Sequence, residues 1–175
     1  MRFEPRAHYV VVGLPTRGEA LLELARTLGV ADRVHVLGRV GAERVPSLLN
    51  ASDVFVMTSR ATGEGDVEGY GIAAVEAGLC GLPSVVSGGS GLAEAVKDRE
   101  TGLVVPPENP EATARAILSL LADEEARRAM GARAARRASE EQTWERCVAR
   151  YDEAMRPLCA DANAARAPLG RRVAL

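Results

Sequence analysis

The chain has 175 residues, 47% apolar and 26% charged, enough for a compact domain that hides roughly 70% of its unfolded surface, which excludes a disordered or fibrous protein. Its 22 basic and 24 acidic residues leave a net charge of -2, so there is no general field for holding a polyphosphate chain, and nucleic acid is not an expected partner. Aromatic residues at 3% are too few for a stacking platform, so a ligand must be held by backbone, carboxylate and arginine groups.

In chain order, Tyr9-Val10-Val11-Val12 is a β-branched run closed by Gly13, and Leu21, Leu22, Leu24, Ala25 and Leu28 follow at helical spacing up to Gly29. Strand and helix then alternate. Val34 to Leu37 ends at Gly38, Glu43 to Ala51 is helical, and Asp53 to Met57 is strand. A helix from Gly71 to Cys80 leads to the strand Ser84-Val85-Val86, a short helical piece at Leu92 to Val96, and the strand Leu103-Val104-Val105. Apolar strands without strict alternation, separated by helices, predict a doubly wound, Rossmann-like parallel α/β sheet covered on both faces.

After Pro110 the chain turns helical, with Ala114, Ile117, Leu118 and Leu121 as an apolar stripe and six arginines between Glu111 and Ser139 that read mainly as a solvated surface. A last helix is expected over Glu141 to Met155, burying Trp144, Val148 and Tyr151, with a loosely docked tail beyond it. The division expected is a domain over 1–158 and a tail over 159–175.

Cys80, Cys147 and Cys159 lack paired spacing and the only histidines are His8 and His35, so neither a zinc site nor a disulfide framework is expected. Scattered cysteines without a leader or an 18-residue apolar run point to a cytoplasmic protein. Lys97 is the only lysine. Gly13-Leu-Pro-Thr-Arg-Gly18 has neither the Lys-Ser/Thr of a phosphate loop nor dinucleotide spacing.

Ligands of an open parallel sheet sit beyond the carboxyl ends of its strands, so the long segment from Thr58 to Tyr70 is the informative one. It enters a helix at Gly71-Ile72-Ala73-Ala74-Val75-Glu76. Gly69 and Gly71 flank Tyr70 and let backbone approach a ligand, and the helix start offers unpaired amides to an anion. Glu68 and Glu76 bracket that start. Carboxylates repel phosphate but accept hydrogen bonds from hydroxyls, a layout suited to a phosphate between two polyols, as in a nucleotide sugar. A plainer reading makes Glu68 a capping residue and Glu76 the partner of an arginine.

Glu68-Gly69-Tyr70-Gly71 through Glu76 resembles the E-x7-E signature of glycosyltransferase family 4, or group 1. Asp32 to Arg39, Ala51 to Val56, Gly81 to Val86, Glu100 to Val105 and Thr143-Trp144-Glu145 agree with it in order, and Asp66-Val67 before Glu68 is similar to the mannosyltransferases of phosphatidylinositol mannoside synthesis. The resemblance implies the C-terminal, donor-binding half of a GT-B enzyme, a metal-independent hexosyltransferase that retains anomeric configuration and uses no cofactor beyond its UDP- or GDP-linked donor. It implies that Glu76 holds the ribose hydroxyls and Glu68 a hexose hydroxyl. The amides of Gly69, Tyr70, Gly71 and Ile72 would hold the hexose and distal phosphate, Gly38 and Arg39 would line the base, and Gly13 would face the cleft.

Nothing before Tyr9 matches the family's Gly-Arg then Lys-Gly stretch, and Gly88-Gly89-Ser90-Gly91-Leu92-Ala93-Glu94 stands where a glycine pair usually precedes Pro-Glu. The expectation is therefore a domain without its first strand, inactive alone, whose acceptor-binding N-terminal partner is missing and whose membrane contact, at the inner face, runs only through that missing half. A non-catalytic donor-binding subunit paired with a separate acceptor-binding chain is the alternative.

Overall fold

The computed structural model describes residues 4–14, 18–59 and 68–165, with side chains through residue 158. Five strands alternate with helices in the expected order: β1 Tyr9–Val12, α1 Gly18–Thr27, β2 Val34–Gly38, α2 Val45–Asn50, β3 Phe55–Met57, α3 Ile72–Leu79, β4 Ser84–Ser87, α4 Leu92–Ala95 and β5 Gly102–Val105. Among the described residues three further helices follow, α5 Pro110–Ala122, α6 Glu124–Glu141 and α7 Trp144–Ala165. None of the described helices is long and apolar enough to cross a membrane.

All strand pairings are parallel, as alternation with helices requires. The strands form two sheets rather than one continuous sheet, β1-β2 and β3-β4-β5. Each has its own hydrophobic cluster: Ala25 of α1 packs with Val30 and Val34, while Ala74, Val86 and Leu92 fill one side of the larger sheet and Val85, Val105, Leu120 and Met130 the other. Strand β4 is central and buried at every position, which explains why its sequence lacks an in-out alternation.

The small residues of α3 serve two surfaces. Ala74 packs toward the sheet, whereas Gly78 faces α6, where an added Cβ would stand 3.4 Å from the Ala134 carbonyl oxygen and 3.5 Å from the Ala138 methyl. Gly131 lets α6 descend onto the turn after α3, since a Cβ there would meet the Gly81 carbonyl oxygen at 2.0 Å. Much of the close packing that these small residues allow is therefore helix-to-helix.

Three of the arginines assigned to a solvated surface instead tie helix α6 to the domain. Arg127 donates to the Leu120 carbonyl and to Asp53 Oδ1, both at 3.0 Å. Arg133 donates to the Glu100 carbonyl at 2.7 Å, and Arg137 reaches the Ala95 and Glu94 carbonyls at 2.5 and 3.0 Å. Each guanidinium satisfies main-chain oxygens near the ends of helices or in turns, which composition alone does not reveal.

Two other expectations are corrected. The buried face of α5 runs through Ala112, Ala116, Ile117 and Leu120, so only Ile117 of the predicted stripe belongs to that cluster; Leu120 rather than Leu121 is fully covered. In α7, Trp144, Val148 and Tyr151 are 73%, 64% and 69% exposed, because no described element packs across them. Their 3.5-residue spacing is that of a helix seam, but the seam is uncovered within this chain. The helix also continues past Met155, through Pro157, to Ala165.

Candidate functional site

The carboxyl ends of β3, β4 and β5 meet the start of α3. Ser87, buried at the end of β4, accepts from the Ser59 amide and donates to the Ser59 carbonyl, each at 2.7 Å, and so locks the exit of β3 to the exit of β4. The Gly88 amide bonds the Val105 carbonyl at 2.8 Å, which adds the end of β5 to the same rim. The residues between Ser59 and Glu68, including Asp66 and Val67, lie outside the described part of the chain.

Gly71 enters α3 in the left-handed region at φ 78° and is buried against Leu92, whose Cδ1 would lie 2.3 Å from an added Cβ. A glycine is needed there on both counts. Gly91 is the second close approach: its Cβ would fall 1.7 Å from the Gly69 carbonyl oxygen. The glycine run after β4 thus lies directly against the Gly69-Tyr70 backbone.

Glu68 is half-buried and accepts the Gly71 amide at 3.1 Å through Oε1, so it caps α3 as the plainer reading held. Its Oε2 has no partner among the described residues, nor do the amides of Ile72 and Ala73. The first α3 turn therefore keeps two open donors at the positive end of the helix. Glu76 is exposed on the same outward stripe as Ile72 and Leu79, opposite buried Ala74, Ala77 and Gly78. Among the described residues it has no hydrogen bond or ion pair, so the arginine partner of the plainer reading is not present.

Tyr70 is exposed, but its hydroxyl accepts from Gln142 Nε2 at 2.9 Å, and the same nitrogen donates to the Ala95 carbonyl at 3.0 Å. Sequence reasoning missed Gln142, which lies just before the quoted Thr143-Trp144-Glu145 and has no local signal of its own. The structure brings Gly13 and Gly38 together as well: the Gly13 amide, just past β1, donates to the carbonyl of Gly38, the last residue of β2, at 3.0 Å, with both glycines at positive φ. Arg39 follows, exposed. These three residues sit on the smaller sheet, whereas Glu68 to Glu76 sit on the larger.

Lys97 lies before β5, on the amino side of the sheet, and approaches Glu141 Oε2 at 3.9 Å. His8 Nδ1 and His35 Nε2 are 2.9 Å apart across β1 and β2. Among the described residues no group of three or more histidine, cysteine, aspartate or glutamate side chains is arranged to hold a metal ion.

Comparison with solved structures places this fold among glycosyltransferases. Sucrose-phosphate synthase from Thermosynechococcus elongatus superposes with a TM-score of 0.75 at 29% identity, over 90% of this chain and 40% of that one. Anabaena HepE in complex with UDP-glucose gives 0.68 at 27% identity, over 78% and 37%. The C-terminal domain of a group 1 glycosyl transferase, LpcC, from Francisella tularensis gives 0.70 at 20% identity, over 82% of this chain and 73% of that domain. Among curated proteins, the chain is 35% identical over 151 residues to the GDP-mannose-dependent alpha-(1-6)-phosphatidylinositol monomannoside mannosyltransferase of Mycobacterium tuberculosis (strain CDC 1551 / Oshkosh). That match covers 86% of the chain and 39% of the relative, so the chain spans well under half of the relative's length. The D-inositol 3-phosphate glycosyltransferase of Salinispora tropica is 38% identical over 144 residues, covering 79% of this chain and 28% of that protein. With the profile of the family described as "Glycosyl transferases group 1" matching residues 2–137, most of its length, the chain belongs to that family.

Proposed function

We propose that this chain is the nucleotide-sugar-binding part of a retaining, metal-independent hexosyltransferase. The carrying observation is the start of α3, where, among the described residues, the Ile72 and Ala73 amides and Glu68 Oε2 have no partner and Glu76, one turn on, is unpaired. In this reading the amides of Gly69, Tyr70 and Ile72 receive the hexose and distal phosphate, aided by the helix dipole, whereas the Gly71 amide, expected to join them, is held by Glu68 Oε1. Glu76 accepts from the ribose hydroxyls and Glu68 Oε2 from a hexose hydroxyl, while its Oε1 keeps Gly71 in place. Gly38 and Arg39 line the base through their backbone, with Gly13 at the cleft.

Electrostatic stabilisation of the departing nucleotide then falls to amides and to cations outside these residues, and attack on the anomeric carbon needs an acceptor-binding domain. We therefore expect the chain alone to bind donor weakly and not to turn over. The setting consistent with this is the cytoplasm, with any contact at the inner membrane face made by the acceptor-binding part.

GDP-mannose, on which the mycobacterial relative depends, and UDP-glucose, bound in the HepE complex, are the first ligands to titrate by calorimetry. Saturable heat is expected with one of them. Glu76→Ala should weaken it at least tenfold, since a lost pair of charge-assisted hydrogen bonds is worth about 1.5–3 kcal/mol. Equal affinity of the variant, or no heat from either donor, would refute the ribose assignment and the donor reading respectively.

A further inference from the structure

Gly69 and Gly71 flank Tyr70, so within this stretch only Tyr70 carries a side chain by which another element can hold the backbone. Two glycines in three residues also make that backbone costly in entropy to fix. Among the described residues the Gly69 and Tyr70 amides have no acceptor, and the Gly69 carbonyl, although crowded by Gly91, accepts no hydrogen bond. Glu68 ties Gly71 locally. The hydrogen bond that reaches this stretch from a distant element, among the described residues, is the one from Gln142 to the Tyr70 hydroxyl.

The course of α6 brings Gln142 there. Gly131 lies against the Gly81 turn that follows α3, and Ala134 lies against Gly78 within α3, so α6 runs back along α3 toward its start. Gln142 is the first residue beyond α6 and is half-buried. Its Nε2 has two hydrogens, and both are committed: one to the Ala95 carbonyl at 3.0 Å, the other to the Tyr70 oxygen at 2.9 Å. A carbonyl can only accept, so Ala95 fixes which end of the Gln142 amide faces it. Ala95 closes α4, the same short helix whose Leu92 packs under Gly71. The floor of the helix entrance and the anchor of Tyr70 thus share one element.

We propose that Gln142 is a positioning residue for donor binding, which fixes the Gly69-Tyr70 amides toward the distal phosphate by holding the tip of Tyr70. The inference rests on the donor reading given above. Its action is indirect, because both Nε2 hydrogens go to protein oxygens.

The test titrates GDP-mannose and UDP-glucose by calorimetry into the 175-residue chain, Gln142→Ala, Tyr70→Phe and the double variant. Each single substitution should weaken donor binding roughly three- to tenfold, the range of one net hydrogen bond, and the double variant should bind no more weakly than the singles, since all three lack the same bond. In the ligand-free chain the NMR order parameter of the Tyr70 amide should drop from about 0.85 toward 0.6 in each variant. Arg133→Ala is the control: it cuts another tie of α6, at the Glu100 carbonyl, and should lower Tm while leaving donor affinity and the Tyr70 amide unchanged. Tyr70→Phe keeps the ring and removes only the oxygen, so it reads the bond even where Gln142→Ala fails to fold. The inference alone is overturned if wild type binds donor and Tyr70→Phe binds it equally well, if Gln142→Ala behaves as Arg133→Ala does, or if the two single effects add. Absence of heat from wild type with both donors overturns the donor reading and this inference with it.

Discussion

Gly91→Ala is expected to lower the unfolding free energy by about 1–3 kcal/mol, the usual cost of forcing a methyl group into packed structure. The atom in its way is the Gly69 carbonyl oxygen at 1.7 Å, a backbone group that cannot rotate aside as a side-chain tip does. Relief must come from moving the Gly69-Tyr70 strand of chain outward, which shifts the open amides of Ile72 and Ala73 relative to the rim. Urea unfolding followed by circular dichroism measures the stability loss, and donor calorimetry measures the displacement. Gly88→Ala is the control, because its Cβ would sit at an ordinary 3.5 Å from Val104 Cγ1. Equal stability of Gly91→Ala and wild type would mean that the glycine run does not touch the helix entrance.

Leu92→Ala carries the largest expected stability cost, about 2–5 kcal/mol, since this side chain is fully buried and its removal leaves a cavity among Ala74, Val86, Ala95 and Val96. Its coupling to Gly71 separates packing from backbone strain. Gly71→Ala alone meets Leu92 Cδ1 at 2.3 Å and also holds an L-residue at φ 78°. With Leu92 shortened, the contact is gone and only the left-handed conformation, about 1–2 kcal/mol, remains. A double-mutant cycle should therefore show Gly71→Ala costing less beside Leu92→Ala than alone. Strict additivity would show that Leu92 yields freely and that only the dihedral demands glycine.

Most of the element order was legible because strands of β-branched residues ended at glycines and helices carried apolar residues at helical spacing. The pairing of Glu68 and Glu76 around a glycine-flanked helix start was legible for the same local reason. What escaped was non-local. Arg127, Arg133 and Arg137 look like surface charges until the carbonyls of Leu120, Glu100, Glu94 and Ala95 are seen beside them. Gln142 reaches Tyr70 across 72 positions of sequence. Glu68 was readable both as a cap and as a ligand group, and its two oxygens allow both, one bonded to Gly71 and one free of described partners. The periodicity of Trp144, Val148 and Tyr151 marked a helix face correctly but said nothing of what lies opposite it.

That face has a spectroscopic consequence. Trp144 is the only tryptophan and stands 73% exposed. Its indole emission in the lone chain should already be that of a hydrated ring, so denaturant will scarcely change its colour. The same residue becomes a built-in reporter of assembly, because anything that settles over the seam of α7 will dry the ring and move its emission to the blue without a label.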